Sequence, residues 1–179
     1  FSYNLYQLIG TIEPDIKVIR NDEMTVEEVK ALNPQLIILS PGPGRPDQAG
    51  ICEEVVKTLG PSIPILGVCL GHQAICEAYG GKIHAKKLMH GKTSIARLDR
   101  SGVLFKEMDA EIKVARYHSL EADPDTLPAE LFVTAMADGE IMAVEHEKYP
   151  VYGLQFHPES ILTPKGIDIL RNVVESIRK

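Results

Sequence analysis

Ile63-Pro64-Ile65-Leu66-Gly67-Val68-Cys69-Leu70-Gly71-His72-Gln73 is the stretch on which the fold turns. Residues 63–68 form a short apolar run bounded by turn residues, the pattern of a strand buried on both faces, and the chain then continues as a helix that ends near Gly80 and Gly81. Strands covered on both faces belong to parallel sheets packed between helices. The same alternation recurs towards the N-terminus: a helix-like 1–9 closed by Gly10, an apolar Ile16 to Ile19, a helix over Thr25 to Leu32, and a second buried strand at Leu36 to Leu39. Thr25 and Glu28 have capping-box spacing. A loop, Ser40 to Asp47, leads to a helical stripe of Ile51, Val55, Val56 and Leu59. Alternating β and α units predict a doubly wound α/β fold with a largely parallel sheet flanked by helices.

Beyond Gly81 the pattern changes to a strand-rich second half that predicts an additional antiparallel region. Strands are expected at Lys82–Met89, Thr93–Leu98, Glu111–Tyr117, Leu131–Ala137, Glu140–Glu145 and Val151–His157, with Asp138-Gly139 as a two-residue hairpin turn. Ile167, Leu170, Val174 and Ile177 recur at helical spacing, with Thr163 as the expected cap and Pro164 as the first helical residue.

The 179 residues, 44% hydrophobic and 25% charged, fit one globular domain spanning 1–179 and exclude disordered and fibrous classes. A net charge of −6 lacks the basic field that draws proteins to nucleic acid or anionic membranes. The longest apolar stretch, Ile63 to Leu70, is far short of the roughly 20 residues a membrane-crossing helix needs. Three cysteines, Cys52, Cys69 and Cys76, have no disulfide-framework spacing and suit a reducing, cytoplasmic compartment.

Cys69 stands between Gly67 and Gly71 where a buried strand gives way to a helix, the layout of a strained elbow that exposes one nucleophile. The helix N-terminus favours thiolate over thiol, as the chemistry requires, because a free thiol with a pKa near ~8.5 is mostly protonated at neutral pH. Of six histidines, His157 ends a strand pattern and has Glu159 two residues on. In extended backbone the two side chains share one side, which would let the carboxylate orient the imidazole. Ser40-Pro41-Gly42-Pro43-Gly44 should emerge at the same sheet edge, and an N–H from Gly42 to Gly44 together with that of Leu70 is expected to form an oxyanion hole. His84 and His146 read as structural, and His118 is left open. Gly91-Lys92-Thr93 imitates the end of a phosphate-binding loop but has Lys86 where the first glycine is required. Cys69, His72 and Cys76 would share one helix face and could hold a metal only if the helix ran through Gly71, where continuity is poor.

Ser40-Pro41-Gly42-Pro43-Gly44, Gly67-Val68-Cys69-Leu70-Gly71-His72-Gln73 and Phe156-His157-Pro158-Glu159-Ser160 together resemble the signature blocks of class I glutamine amidotransferases, with a flavodoxin-like fold. With His90-Gly91-Lys92-Thr93-Ser94 and His157 to Thr163, the chain is similar to the branch that serves anthranilate synthase and aminodeoxychorismate synthase as component II. The resemblance implies Cys69 as nucleophile, His157 as base and Glu159 as its orienter. It implies Gly42, Pro43, Gly44, Leu70, Gln73, Ser119 and Leu120 as the glutamine site. It also implies a chorismate-binding component I as partner, met by His90 to Ser94 on a turn between two strands. No cofactor is implied for this chain, with Mg2+ expected only in the partner. The family opens with a short apolar strand ahead of the Phe1-Ser2-Tyr3-Asn4 equivalent, so the comparison implies an absent first strand and a slot between Ile16–Ile19 and Leu36–Leu39. The competing readings are a free-standing cysteine hydrolase and a non-catalytic binding module.

Overall fold

The computed structural model describes residues 7–11, 24–39, 51–85, 92–118 and 120–177. Residues 7–10 are helical. The elements that follow are α1 (Val26–Ala31), β1 (Ile37–Leu39), α2 (Cys52–Leu59), β2 (Ile65–Val68), α3 (Leu70–Ala78), β3 (Ile83–Ala85), β4 (Lys92–Leu98), β5 (Glu111–Arg116), β6 (Leu120–Ala122), β7 (Leu131–Ala137), β8 (Glu140–His146), β9 (Val151–Leu154) and α4 (Gly166–Ile177). Among the described residues seven strands form one sheet in the order β1-β2-β9-β8-β7-β4-β5, and β3 pairs with β6 in a separate ribbon.

The sheet divides by direction. β1 with β2 and β2 with β9 are parallel, whereas β9 with β8, β8 with β7, β7 with β4 and β4 with β5 are antiparallel. Every residue of β2 and β9 is buried, as strands covered on both faces require. Successive residues enter opposite cores. Ile65 and Val151 pack with Val55, Val56 and Leu59 of α2 and Ile75 of α3, while Leu66 and Tyr152 pack with Ile9 and with Ile169, Leu170 and Val173 of α4. This is the doubly wound arrangement the alternation predicts. Thr25 caps α1 through the predicted box: its Oγ1 accepts from the Glu28 N–H at 3.2 Å, and its own N–H donates to Glu28 Oε1 at 3.1 Å.

Asp138 and Gly139 both have positive φ, 52° and 76°, the backbone that a two-residue hairpin between β7 and β8 needs. Three expectations change. β9 ends at Leu154, not His157, because the chain turns to carry the next residues over the sheet edge. α4 begins at Gly166 rather than Pro164, and Thr163 spends its hydroxyl on the Ala115 N–H of β5 at 2.8 Å instead of capping the helix. Within the described residues the Lys82–Met89 strand is confined to Ile83–Ala85, whose partner β6 has too short a run to show a period. Ile16–Ile19 and Ser40–Asp47 lie outside the described residues.

Candidate active site

The parallel pairing of β2 with β9 builds the site. Val68 stands opposite Leu154, and the Cys69 N–H donates to the Leu154 carbonyl at 2.7 Å, so whatever follows β9 is delivered beside Cys69. Cys69 itself has φ 54° and ψ −102°, a region a non-glycine residue enters only when its surroundings hold it there. Those surroundings are two backbone contacts. A Cβ on Gly67 would lie 2.5 Å from the Gly71 carbonyl carbon and 2.8 Å from the His72 nitrogen, and one on Gly71 would strike the Leu39 carbonyl oxygen of β1. Strand, turn and helix therefore close only with glycine on both sides of Cys69. α3 starts at Leu70, whose N–H belongs to the first turn, where helix donors have no intrahelical acceptor.

After β9 the chain makes a turn through Pro158, closed by the Ser160 N–H on the His157 carbonyl at 3.3 Å and fastened to β5 by the His157 N–H on the Ala115 carbonyl at 3.2 Å. The start of α4 packs on this turn so closely that a Cβ on Gly166 would collide with the Pro158 carbonyl. His157 and Glu159 do meet, Nδ1 to Oε1 at 2.6 Å, but through the turn and not through the strand alternation expected from sequence. Both side chains are buried, and the Tyr117 ring stands perpendicular to the imidazole at 5.3 Å between centroids. The Cys69 side chain acts on the same imidazole. Burial alone would lower the imidazole's pKa, but the hydrogen bonds and charges of Cys69 and Glu159 outweigh it and raise it to about 9. An imidazolium therefore stands between a sulfur and a carboxylate at neutral pH. That arrangement suits nucleophilic attack by sulfur followed by proton delivery to a leaving group.

Gln73 and Leu120 lie next to this chain of contacts. Gln73 Nε2 donates to the Leu120 carbonyl at 2.9 Å and to Gln155 Oε1 at 3.2 Å, so the nitrogen end of its amide is engaged within the protein. Gly42, Pro43, Gly44, Ser119, His90 and Gly91 lie outside the described residues. Lys92, Thr93 and Ser94 are not on a turn, as expected, but open β4 in register with Arg116, Ala115 and Val114. Thr93 is exposed, whereas Ser94 is buried, donating to Asp138 Oδ2 at 3.1 Å and accepting from Arg116 Nη1 at 3.2 Å. Cys69 precedes α3, and the other two residues of the supposed metal face, His72 and Cys76, touch each other in the interior at 4.0 Å. His84 bonds Glu121 at 2.7 Å, and His146 stacks on Tyr149.

Two residues were missed. Arg116, fully buried, is ion-paired with Glu140 and with Asp138, and Gln155, also fully buried, points its amide at Cys69. The available signal was the same for both: one polar residue set in an apolar run, Val114-Ala115-Arg116 and Val151 to Phe156.

Residues 1–177 match the sequence model of the family described as glutamine amidotransferase class-I. The chain is 51% identical over 176 residues to a Thermotoga maritima protein named bifunctional protein TrpGD, covering 96% of this chain and 30% of that one. It is 46% identical over 181 residues to the Bacillus subtilis aminodeoxychorismate/anthranilate synthase component 2, covering 100% of this chain and 93% of the relative. Among solved structures, a putative GMP synthase protein of Thermoplasma acidophilum superposes with a TM-score of 0.87 at 24% identity, over 99% of this chain and 88% of the other, which speaks to the fold. With a family match running from residue 1 to residue 177, this chain belongs to the class I glutamine amidotransferases and is an enzyme of that family.

Proposed function

We propose that the chain releases ammonia from the side-chain amide of glutamine and supplies it to a chorismate-using synthase partner that makes anthranilate in tryptophan biosynthesis. The observation that carries this reading is the buried sequence of contacts from Cys69 through His157 to Glu159 at the carboxyl ends of two parallel strands. The Cys69 thiolate attacks the amide carbon, and the oxygen takes the negative charge, met by the Leu70 N–H and an N–H from Gly42 to Gly44. The C–N bond breaks as the His157 imidazolium gives its proton to the departing nitrogen, leaving a thioester. Water then attacks the thioester with its proton passing to His157, and the C–S bond breaks to return thiolate and glutamate. Gly42, Pro43, Gly44, Leu70, Gln73, Ser119 and Leu120 would hold the glutamine. The chemistry needs no cofactor on this chain, and Mg2+ belongs with the chorismate-binding partner.

The Bacillus subtilis relative's name joins aminodeoxychorismate to anthranilate, which favours a second product in folate biosynthesis from the same chain. Thr93 and its neighbours from His90 to Lys92 are our proposed partner contact, with the buried Ser94 behind them. Docking there should stimulate glutaminase at least tenfold, roughly 1.4 kcal/mol of barrier. Among the described residues no helix is long and apolar enough to cross a membrane, and Cys52, Cys69 and Cys76 are free thiols. With those thiols we place the protein in the cytoplasm.

The test is ammonia release from glutamine by the chain with each candidate partner, followed by identification of the aromatic product. Cys69→Ala should lower glutamine-dependent synthesis by at least about a thousandfold and leave synthesis from added ammonia intact. Glutamine-dependent synthesis that survives Cys69→Ala, or no ammonia release with either partner, would overturn the reading.

A further inference from the structure

One polar side chain at the sulfur has no part in the mechanism above. Gln155 follows β9, is fully buried, and donates through Nε2 to Cys69 Sγ at 3.8 Å. We propose that Gln155 is a further catalytic residue whose amide donates to the Cys69 thiolate, and that Gln73 is the positioning residue that decides which end of that amide faces the sulfur. The inference rests on Cys69 as nucleophile, as in the proposed function.

The two ends of a carboxamide are nearly the same size, so its orientation has to be imposed by a neighbour of fixed polarity. The Leu120 carbonyl is such a neighbour, since it can only accept. It draws the NH2 end of Gln73 at 2.9 Å, because the opposite orientation would set two oxygens face to face. The second hydrogen of that nitrogen then requires an acceptor on Gln155, which is Oε1 at 3.2 Å. With its oxygen so committed, Gln155 has its NH2 end left for Cys69. The other neighbour of the Leu120 carbonyl agrees. His118 Nδ1 lies 3.0 Å from it and must carry the proton, which leaves Nε2 as the acceptor for Arg116 Nε at 3.3 Å. The Arg116 guanidinium has only donors to offer and is held by Glu140 and Asp138, so the polarity is anchored at that end as well.

A neutral donor at the sulfur serves two steps. It favours thiolate over thiol before attack, and it receives the sulfur again when the thioester C–S bond breaks and the electron pair returns to Cys69. Being uncharged, it does not compete with His157 for the proton. His157, backed by Glu159 from the turn after β9, is a titratable group that acts on this sulfur. His72 of α3 is held neutral by burial, with a pKa of about 3.

The experiment follows carboxamidomethylation of Cys69 by iodoacetamide against pH in the full chain, with the Cys69 peptide quantified by mass spectrometry. Gln155→Met should move the midpoint upward by at least about half a pH unit, a roughly threefold slower reaction on the rising limb. Gln155→Glu should move it further, because a carboxylate then faces the sulfur. Gln73→Met should move it the same way by less, since the Gln155 amide is freed to rotate. A packing role would lower the melting temperature and leave the profile in place. Midpoints unchanged in folded Gln155→Met or Gln155→Glu would overturn the proposal, and if neither folds, an unchanged midpoint in Gln73→Met does so. Because alkylation needs no glutamine, a wild-type chain that releases no ammonia from glutamine with either partner would refute the proposed function and leave this result readable.

Discussion

The parallel and antiparallel sides of the main sheet bury polar groups for different ends. On the parallel side, β2 and β9 finish at one edge, and their ends bring together residues as far apart in the chain as Cys69 and Gln155, separated by 86 positions. The antiparallel side works through nearer neighbours: Arg116 of β5 reaches Glu140 of β8, 24 positions on, across a hairpin whose turn carries Asp138. One side holds a strained cysteine and an imidazolium, and the other closes its buried charges on each other. Parallel pairing thus concentrates reactive groups at an edge, while antiparallel pairing lets a buried charge be neutralised locally.

The largest effect should come from breaking the antiparallel charge cluster. Arg116→Met takes the guanidinium away from the buried Glu140 carboxylate and should cost about 3–5 kcal/mol, measured by denaturant unfolding, while Cys69 in the protein that remains folded still alkylates. Loss of alkylation at small stability cost would merge the two regions into one. On the parallel side, Gly71→Ala forces a Cβ against the Leu39 backbone, which cannot yield, and should cost about 3 kcal/mol together with Cys69 reactivity. The matching substitution in the hairpin, Gly139→Ala, has open space around it and only its φ of 76° to oppose, so about 1–2 kcal/mol is expected with reactivity kept. Equal losses from the two glycines would end the distinction.

The pH dependence sharpens it further. His157 has a folded pKa of about 9 against an ordinary 6.5, so the folded state binds the proton more tightly. Its stabilising contribution is fully present below about pH 6.5 and disappears as pH rises through about 9. Between pH 6 and pH 9.5, unfolding stability measured in urea should therefore fall by more in the wild type than in His157→Asn, by a few kcal/mol at most. A parallel fall in both proteins would show that the imidazolium is not the group responsible. The smallest effect belongs to α1: Thr25→Ala removes the capping box and should cost about 1 kcal/mol, with no change at Cys69.

Much of this is legible in the sequence alone. The capping box of Thr25 and Glu28, the Asp138-Gly139 turn and the glycines around Cys69 were legible because each depends on neighbours within a few residues. β6 was not, since three residues show no period and the strand exists by pairing with β3. The end of β9 is hidden for a related reason: Phe156 continues the strand's alternation past the single polar Gln155, and the packing of α4 on Pro158 accompanies the turn of the chain.

The sequence by itself determined the α/β alternation, the glycine-flanked elbow at Cys69 and the pairing of His157 with Glu159, because local sterics and short-range spacing are written in consecutive residues. Only the tertiary structure decided that Glu159 arrives through a turn, that Ser94 is locked beneath Asp138 and Arg116, and that Gln155 faces the sulfur. Those outcomes depend on strand register and on the polarity of distant carbonyls such as Leu120, and neither is encoded in any one stretch of the chain.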